Sequence, residues 1–327
     1  PFSYKKKGES IVQLFYPRRF WFLIINLHII FQLISQSKYP IRRCWDAALR
    51  ATGMYESSLV LLQRYQPRSI TFSNDHTMEP RALLLAATQL NIPTFFIQHA
   101  CVRPDFPSLR FDHSFLEGQD AYDKYKRCGE IKGSVHLVGI PRIDAYLRKK
   151  NTSKKVSRIG ICSNLLDSIE AIQVVLSFIE KSFPELEITY RPHPSDQRVL
   201  KVSQRIVVSD SRVENPFDFL LQQDLILAGN TSIHYEATML NIVSLYYNFD
   251  QNSQVEDTYD FVKNKLEQRV ESLNQLTEII DQNMKEKEEV VDKAKYYNAV
   301  LETPDEGKSE DLVLAKIKEH FLSKSRT

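Results

Sequence analysis

The sequence predicts an α/β protein with two Rossmann-like domains, each built on a mostly parallel sheet. Short β-branched runs alternate with helical patterns over about residues 69–147, and the alternation starts again over about residues 158–247. Strands that alternate with helices in this way are typical of βαβ units. The charged run at 149–155 separates the two alternations and contains no apolar residue, which favours a linker. The length of 327 residues suits two such domains, predicted at 1–150 and 151–327.

Composition excludes several classes of protein. Apolar residues make up 43% of the chain and charged residues 26%, which is ordinary for a soluble globular protein. The net charge of +2 is too small to indicate a nucleic-acid partner. The four cysteines are scattered, without a C-x-x-C motif or a histidine pair at zinc spacing. We therefore expect reduced thiols, no metal site and a cytoplasmic location.

Two helices are predicted before the first strand, from about 18 to 36 and at 41–66. The apolar stretch 20–34 is interrupted by polar residues and is shorter than the roughly 20 residues that a membrane span requires. A core helix is therefore favoured. The alternative is an interfacial helix with basic flanks and aromatic anchors, which would hold the protein at the inner face of the plasma membrane. Because the chain begins at Pro1 rather than at a methionine, we expect a fragment or a processed chain.

The first alternation contains four short apolar runs that read as strands. Pro80 suits the first turn of the helix at 79–90, because its missing N–H would have no partner there. The predicted strands are 69–73, 93–97, 113–116 and 135–138, and the predicted helices are 79–90, 121–127 and 142–147.

The second alternation leads into a charged helical region. Its predicted strands are 158–162, 187–191, 205–208, 225–228 and 242–247, and its predicted helices are 168–182, 216–221 and 233–240. From about residue 258 onward the chain is predicted to be helical. The part at 284–295 is predicted to be a solvated helix face, because Lys and Glu dominate it.

The most informative motif is Arg191-Pro192-His193-Pro194, which ends an apolar, β-branched run. The prolines terminate the strand and place Arg191 and His193 at the carboxyl edge of the sheet, where open α/β folds bind ligands. A guanidinium suits phosphate oxygens, and an imidazole can donate a hydrogen bond or a proton. The motif therefore predicts a phosphate site. The alternative is a strand-ending turn whose polar residues face water.

A second candidate anion site lies between the strand at 225–228 and the next helix. Asn230, Thr231 and Ser232 offer backbone N–H groups and hydroxyls at a helix amino terminus, although plain N-capping would use the same groups. Glu236 lies one turn further along, where its carboxylate accepts from ribose hydroxyls or remains an exposed acid. The set predicted to bind a donor is completed by residues that follow other strands: Arg142, Ser163 and Asn164.

The first domain offers candidate proton acceptors. Asp75, His76 and Glu79 lie between a strand and a helix, and His99 ends the next strand. Because the carboxyl ends of parallel strands share one edge, these side chains are predicted to line one cleft. A histidine suits the removal of a proton from a hydroxyl, whereas the alternative is a structural histidine. The predicted catalytic residues are His99, His193, Asp75 and Glu79.

Several well-known motifs are absent from the sequence. It contains no D-x-D pair, no G-x-G-x-x-G or P-loop pattern, and no G-x-S-x-G pattern. These absences argue against a metal–phosphate clamp, a dinucleotide oxidoreductase, an NTPase and a serine hydrolase. No metal and no cofactor are predicted.

The candidate motifs follow one another in an order that resembles a known group of enzymes. The order is Ile97-Gln98-His99, then 139–144 (Gly-Ile-Pro-Arg-Ile-Asp), then 191–194, then 230–232 with Glu236 and Asn241. It resembles the GT-B glycosyltransferases and polyol-phosphate transferases that build bacterial capsules and teichoic acids. The relatives are the CDP-glycerol glycerophosphotransferases, the capsule Kdo transferases and, more distantly, the bacterial polysialyltransferases. The resemblance covers about residues 68 to 247.

The resemblance implies a GT-B-like fold whose two Rossmann-like domains face a cleft that holds a CMP-, CDP- or UDP-linked donor. It implies that Arg191 and His193 bind the donor phosphate with support from Thr231 and Ser232. His99 matches the acceptor-activating histidine of the glycerophosphotransferases, which is usually followed by glycine. Here Ala100 follows, so Asp75 or Glu79 is the alternative base.

The resemblance implies transfer of a sugar, or of a sugar- or polyol-phosphate, to a glycan or lipid-linked glycan of the bacterial surface. Two alternatives stay open. One is a GT-B-fold sugar-nucleotide epimerase, which needs carboxylates around the sugar and no acceptor. The other is a non-catalytic GT-B module within a polysaccharide synthase complex.

Overall fold

The computed structural model describes residues 45–249 and 257–324. The helix predicted at 18–36, and with it the predicted membrane-contact segment, lies outside the described residues. The predicted helix at 41–66 is observed as α1, Trp45–Tyr65. Within the described ranges the chain forms two sheets and their covering helices, so the predicted α/β class is confirmed.

The first sheet has four strands in the order β1-β2-β3-β4. Pairing is parallel between β1 and β2 and between β2 and β3. The strands are β1 (Ile70–Phe72), β2 (Thr94–Ile97), β3 (His113–Leu116) and β4 (Ser134–Leu137), and the helices are α2 (Met78–Gln89) and α3 (Gln119–Cys128). Helix α1 packs against α2, and stacked aromatic rings such as Phe96 on Phe111 fill the core beside the sheet.

The second sheet has six strands in the order β10-β9-β8-β5-β6-β7. All of its neighbouring strands are parallel. Its strands are β5 (Arg158–Cys162), β6 (Glu187–Arg191), β7 (Ile206–Val208), β8 (Leu225–Ala228), β9 (Val243–Tyr247) and β10 (Gln268–Val270). Because the chain builds outward from β5 to β7 and then returns to β8 on the other side of β5, the strand order reverses between β5 and β8.

Helices cover both faces of the second sheet, which accounts for the buried, largely apolar central strands β5, β8 and β9. The helices are α4 (Asp144–Leu147), α5 (Ile169–Ser182), α6 (Pro216–Leu220), α7 (Ile233–Met239) and α8 (Leu273–Lys285), with short 3-10 turns at Pro141–Ile143 and Val291–Ala294; α9 (Ser309–Lys324) is the last helix of the described residues. Side-chain caps begin three of these helices: Ser168 accepts from Ala171, Asn215 from Phe217, and Ser272 from Gln275.

The prediction that the chain is helical from about residue 258 onward is wrong in part. Strand β10 lies within this region, and α8 ends at Lys285. Residues 284–295 are not a solvated helix face, because Lys287 is buried and its Nζ donates to the Asn241 carbonyl at 2.8 Å. Burial lowers the pKa of the Lys287 ammonium. Composition alone could not reveal that one lysine of this charged run packs inward.

The charged run at 149–155 is not a free linker. Asn151 is buried, and its Nδ2 donates to the Gln223 carbonyl and to Asp224 Oδ1, both at 2.8 Å. The backbone N–H of Asn151 donates to the Leu240 carbonyl at 2.8 Å. The Asn151 side chain therefore attaches the run to the second sheet. Composition does not distinguish this asparagine from the solvated residues beside it.

The contacts divide the chain into two compact units. Among the described residues, the first comprises 45–100, Pro104–Phe115 and Tyr125–His136, and the second Cys101–Arg103, Leu116–Lys124, 137–249 and 257–324. This division differs from the predicted boundary at residue 150. The reason is visible at the segment 116–124, whose Asp120 N–H donates to the Tyr296 carbonyl at 3.0 Å and whose Glu117 carbonyl accepts from Ala299 at 2.9 Å.

Candidate functional site

The reversal of strand order in the second sheet defines a crevice at its carboxyl edge. Strand β5 runs into Ser163 and Asn164, and β8 runs into Gly229 and Asn230. The connections leave these two neighbouring strands in opposite directions, so this is the switch point of the sheet. Open α/β sheets bind their ligands at this position. Four of the residues predicted to bind a donor therefore lie at this edge, namely Ser163, Asn164, Asn230 and Thr231.

The loop after β5 is held in shape by its own polar side chains. Asp167 is buried, and its Oδ2 accepts from the Asn164 N–H at 2.8 Å, while Asn164 Oδ1 accepts from the Leu166 N–H at 2.7 Å. A Cβ added at Gly229 would lie 2.9 Å from Asp167 Oδ1. A side chain at residue 229 would therefore displace the Asp167 carboxylate, which holds the loop after β5. Ser163 Oγ bonds with the Tyr190 hydroxyl at 2.8 Å.

The loop after β8 is anchored from below by a buried histidine. His234 Nε2 lies 2.7 Å from the Gly229 carbonyl oxygen, and its Nδ1 lies 2.6 Å from Glu267 Oε2 and 2.7 Å from Ser244 Oγ. Burial opposes the protonation of His234, but the Glu267 carboxylate outweighs it and raises the pKa of the imidazole. The contacts of His234 with Glu267 and the Gly229 carbonyl fix the direction of the Gly229 peptide.

The predicted capping role of this loop is not observed. Ser232 has helical backbone angles and makes no side-chain capping hydrogen bond, and α7 after it contains only seven residues. The Asn230 amide donates to the Thr258 hydroxyl. Thr231 and Ser232 are half-buried beside the crevice. Their role in binding a donor stays a prediction.

A cluster of two carboxyl groups and one guanidinium lies in the second unit. Arg142 Nη2 is 3.0 Å from Glu236 Oε1, and Arg142 Nη1 is 3.6 Å from Glu117 Oε1. The guanidinium also lies over the Tyr235 ring, 5.6 Å from its centroid. The side chains of Glu117 and Glu236 are 5% and 13% exposed, whereas that of Arg142 is 35% exposed. The guanidinium is therefore the part of the cluster most open to solvent.

Burial sets the acidity of this cluster. It raises the pKa of Glu117 to about 7, although the Arg142 guanidinium opposes the shift. Burial likewise raises the pKa of Glu236, again against the effect of Arg142. A carboxyl group that titrates near neutral pH can both accept and donate a proton under ordinary conditions. The cluster can therefore perform acid–base chemistry.

The partners of Arg142 and Glu236 differ from those that the sequence predicts. Arg142 was predicted to bind a donor and Glu236 to contact a ribose, but the two side chains pair with each other. The 3-10 turn that carries Arg142 and the helix that carries Glu236 are distant in the chain, so no local pattern could have indicated this pairing. Their contact with a donor stays a prediction.

Arg191 ends β6 as predicted, but its guanidinium points into the protein. The residue is 6% exposed. Nη1 donates to Ser209 Oγ at 2.6 Å, Nη2 donates to the Glu214 carbonyl at 2.9 Å, and the group lies 5.0 Å from the Phe219 ring centroid. Arg191 thus fastens β6 to the segment that precedes α6, so its chemistry in this structure is internal rather than directed at solvent.

His193 is exposed and lines a pocket of about 390 Å³ at the ends of β6 and β7. Its Nδ1 accepts from the Ser195 N–H at 3.1 Å, which fixes the ring relative to the loop. Arg198 also lines the pocket and forms an ion pair with Asp196 at 2.6 Å. Of the two motif residues, only His193 therefore faces a space that a ligand could enter.

The first unit brings three of its predicted polar residues together. Asp75 Oδ1 lies 3.1 Å from His76 Nδ1, and the His76 ring stacks near His99 with a centroid distance of 6.2 Å. Asp75 is 2% exposed, so it is not accessible as the alternative base. Glu79 is exposed in the first turn of α2. Among the candidate bases of this unit, His76 and His99 are therefore exposed, whereas Asp75 is buried.

Three residues at these sites lie outside the set that the sequence predicts. Glu117, His234 and Glu267 were not predicted. Glu117 directly follows the apolar strand β3, so the rule that selected Ser163 and Asn164 could have found it. His234 lies within the predicted helix 233–240, and only its burial against Glu267 reveals its role.

The described ranges also bear on metal binding and on membrane crossing. Among these residues, no three or more histidine, cysteine, aspartate or glutamate side chains are grouped so that they could bind a metal ion. None of the described helices combines the length and the apolar character that crossing a bilayer requires.

Comparison with known proteins identifies the class of fold. No family model matches the chain, and no curated protein sequence matches it. Solved structures do match over most of the chain, and they are GT-B-like proteins, so the predicted GT-B-like class is confirmed.

Three solved structures illustrate the similarity. A protein assigned as UDP-N-acetylglucosamine 2-epimerase from Listeria monocytogenes has a TM-score of 0.59 and 14% identity, with 84% of this chain and 80% of that chain covered. UDP-N-acetylglucosamine 2-epimerase from Neisseria meningitidis, bound to UDP-N-acetylglucosamine, has a TM-score of 0.55 and 14% identity, with 82% and 81% covered. MurG from Acinetobacter baumannii has a TM-score of 0.50 and 12% identity, with 83% and 79% covered. At these identities the similarity defines the fold alone.

Proposed function

We propose that the chain is an enzyme that converts a nucleotide-activated sugar. The observation that carries the proposal is the cluster of Glu117, Arg142 and Glu236, in which the pKa of Glu117 is raised to about 7. A buried acid that titrates near neutral pH, beside a second acid and a cation, is typical of sites that move protons. Similarity in fold to an enzyme bound to UDP-N-acetylglucosamine supports a substrate of this class.

Epimerisation at a carbon of the sugar is the reaction that these observations favour. One carboxylate removes the proton at C2 of the sugar, the electron pair of that C–H bond forms a C1=C2 double bond, and the C1–O bond breaks so that its pair leaves with the nucleotide. A protonated carboxyl group then returns a proton to the opposite face of C2, while the nucleotide oxygen bonds again to C1. Glu117 and Glu236 can supply these two groups, and Arg142 stabilises the negative charge that develops. The resemblance in fold to 2-epimerases favours this reaction over group transfer.

The test is incubation with UDP-N-acetylglucosamine in D₂O without any acceptor. We expect the 2-epimer to form with one deuterium at the inverted carbon, because the returned proton comes from solvent. Glu117→Gln should lower the rate by about 10²–10⁴-fold, since an amide cannot exchange the proton. Glu185→Gln changes an exposed carboxylate and is the matched control. Wild-type protein that forms no deuterated epimer, or a Glu117→Gln variant at full rate, would contradict the reaction.

Group transfer, which the motif order implies, is the second candidate. It is favoured by the exposed His193 beside a pocket at the end of β6. In this reaction a glycan or lipid-linked glycan acceptor displaces the nucleotide from a CMP-, CDP- or UDP-linked donor. We expect nucleotide release to depend on the acceptor. His193→Ala should reduce the rate of this release by orders of magnitude. Normal release by that variant would exclude the role of His193.

The donor base is best found by thermal shift with CMP, CDP, UDP and GDP. A nucleotide at 100 times its Kd stabilises the folded protein by about 2.7 kcal/mol, so the preferred base should raise Tm most. Failure of all four to bind would favour the non-catalytic module instead. The cytoplasmic location and the membrane contact of residues 20–34 stay predictions.

A further inference from the structure

His234 is a fully buried histidine in the first turn of α7, in the second unit, and both of its ring nitrogens have partners. Nε2 lies 2.7 Å from the Gly229 carbonyl oxygen, whereas Nδ1 lies 2.6 Å from Glu267 Oε2 and 2.7 Å from Ser244 Oγ. The residue is 0% exposed. Three segments of the chain therefore meet at one side chain: the loop after β8, strand β9 and the residue before β10.

These partners determine the charge of the His234 ring. The Gly229 carbonyl can only accept a hydrogen bond, and so can the Glu267 carboxylate, whereas the Ser244 hydroxyl can do either. A neutral imidazole has a single N–H, so it would turn the lone pair of its other nitrogen toward one of the two acceptors. An imidazolium donates to both of them. His234 therefore fits its surroundings as a buried cation that is paired with Glu267.

The charged groups around His234 favour the same state. Although burial opposes protonation, Glu267 and Asp257 both raise the pKa of the imidazole. On β9 the Tyr246 ring lies 6.4 Å from the His234 ring, and the Arg269 guanidinium of β10 lies over Tyr246 at 5.7 Å from its centroid. Two carboxylates thus act on the ring against one guanidinium.

The His234 ring determines the path of the loop at the switch point of the sheet. It holds the Gly229 carbonyl from inside the protein, while a Cβ at Gly229 would lie 2.9 Å from Asp167 Oδ1 of the loop after β5. Thr231 follows two residues later and is half-buried at the edge where open α/β sheets bind ligands. A change at His234 would therefore move the segment 229–231 at this edge.

Helix α7 connects His234 to the acid cluster. Glu236 follows His234 by two residues, which places the two side chains on nearly opposite faces of the helix. The Glu236 carboxylate lies 3.0 Å from Arg142 Nη2, and the Tyr235 ring lies against the same guanidinium. The buried face of α7 is thus anchored by His234, and its other face presents a carboxylate of the cluster.

We propose that His234 is the positioning residue of the nucleotide-sugar site. By donating from Nε2 to the Gly229 carbonyl, it keeps the segment 229–231 and Glu236 in the places where they contact the ligand, and Glu267 keeps the ring charged. His234 is buried and does not touch the ligand itself. The inference rests on the proposed function, because the site that His234 organises is the one proposed to bind a nucleotide-activated sugar.

The first experiment measures the charge of the ring without any ligand. In protein labelled with ¹⁵N-histidine at about pH 8, where a histidine of ordinary acidity is neutral, the nitrogen shifts distinguish an imidazolium from either neutral tautomer. The His234 signals are identified by their loss in His234→Gln. We expect an imidazolium in the wild type and a neutral ring in Glu267→Gln, because the amide carries no charge. A neutral ring in the wild type would overturn the inference.

The second experiment compares two amides that replace different halves of the ring. Glutamine reaches as far as Nε2 of histidine, so His234→Gln can still donate to the Gly229 carbonyl. Asparagine is shorter and places its NH₂ group near Nδ1, so His234→Asn keeps a donor beside Glu267 and loses the donor to Gly229. Both variants remove the same charge, so a merely structural role predicts equal effects of the two.

Binding of UDP, measured by calorimetry, gives the comparison, with CMP, CDP and GDP tested in parallel. We expect Kd of His234→Gln to stay within about threefold of the wild type, and Kd of His234→Asn to rise by about 10–100-fold. The matched control is Thr238→Val, which removes a buried hydroxyl that donates to the His234 carbonyl on the same helix. It should lower Tm and leave Kd unchanged.

The outcomes separate the inference from the proposed function. If the wild type binds none of the four nucleotides, the proposed function fails and the inference fails with it. If the wild type binds a nucleotide and His234→Asn binds it equally tightly, the proposed function stands and the role of His234 is wrong. A loss of affinity in Thr238→Val as large as in His234→Asn would also contradict a specific role for His234.

Discussion

At the scale of single residues, Glu117 illustrates how burial sets chemistry. Its side chain is 5% exposed and lies 3.6 Å from Arg142. The guanidinium is too distant for a tight hydrogen bond, so desolvation dominates and the carboxyl group holds its proton to about pH 7. The same residue in solvent would be ionised throughout the neutral range, and it could then act only as an acceptor.

The raised pKa of Glu117 predicts a dependence of stability on pH. Between its ordinary pKa of 4.5 and its native value of about 7, the folded state binds more protons than the unfolded state, so the free energy of unfolding falls as pH rises. Glu117→Gln lacks this group. Urea unfolding should therefore show the variant gaining about 1–3 kcal/mol relative to the wild type between about pH 5 and pH 8. A constant difference across that range would contradict the shift.

Gly229 carries a second prediction at this scale. A Cβ there would lie 2.9 Å from Asp167 Oδ1, so Gly229→Ala must displace the Asp167 carboxylate that accepts from the Asn164 N–H. We expect a stability loss of about 1–3 kcal/mol and weaker nucleotide binding, measured by urea unfolding and calorimetry. Asp167→Ser shortens the opposing side chain, so the double variant should recover part of both losses. If Gly229→Ala binds and unfolds like the wild type, the close approach is not real.

At the scale of elements, the segment 149–155 is a charged run that one buried side-chain amide, that of Asn151, attaches to the second sheet. Asn151 bonds to the Gln223 carbonyl and to Asp224, a carboxylate that also accepts from Arg158 Nη2 at 2.6 Å. These bonds lower the pKa of Asp224 to below its usual range, against the effect of burial. The segment therefore belongs to the framework of the second sheet.

The structural role of this segment can be measured with neighbouring variants. Asn151→Ala removes a buried donor and leaves the Gln223 carbonyl unsatisfied, so we expect a loss of about 1–3 kcal/mol in the free energy of unfolding. Thr152→Ala alters an exposed residue of the same run and should change it by less than about 0.5 kcal/mol. Equal effects of the two substitutions would mean that the segment behaves as a solvated linker after all.

At the scale of the whole molecule, the two compact units do not correspond to two continuous stretches of chain. Residues 137–150 precede the predicted boundary, yet they belong to the second unit. Ile140, Ile143 and Leu147 are almost fully buried in its core, and the Tyr146 ring stacks on Phe217 at 4.8 Å. A cut at residue 150 would therefore expose an apolar face that the second sheet needs covered.

Two fragments test this arrangement. The fragment 137–327 retains the apolar side chains of the 3-10 turn and α4, whereas 151–327 lacks them. Burial of a large aliphatic side chain stabilises by about 1.5–3 kcal/mol, so we expect 151–327 to melt roughly 10 °C or more below 137–327, or not to fold. Scanning calorimetry of both fragments gives the comparison. Equal melting temperatures would support a boundary at residue 150 instead.

Much of the framework follows from local pattern. The apolar, β-branched run that ends at Arg191 predicted β6 to its last residue, because prolines stop a strand wherever they occur. The run at 225–228 predicted β8 equally well. Strand β10 was missed because its three residues, Gln268–Val270, contain only one buried apolar side chain. Short edge strands depend on a neighbour for their pairing, which no local pattern records.

The sequence by itself determined which segments become strands and helices, and therefore which residues come to a carboxyl edge. It placed Ser163, Asn164 and His193 there correctly. Only the tertiary structure decided the pairing of Glu117 with Arg142 and Glu236, the inward direction of Arg191, and the partner of His76. The physical reason is that propensity and periodicity act between near neighbours in the chain, whereas burial, charge pairing and acidity depend on what the fold brings together from distant segments.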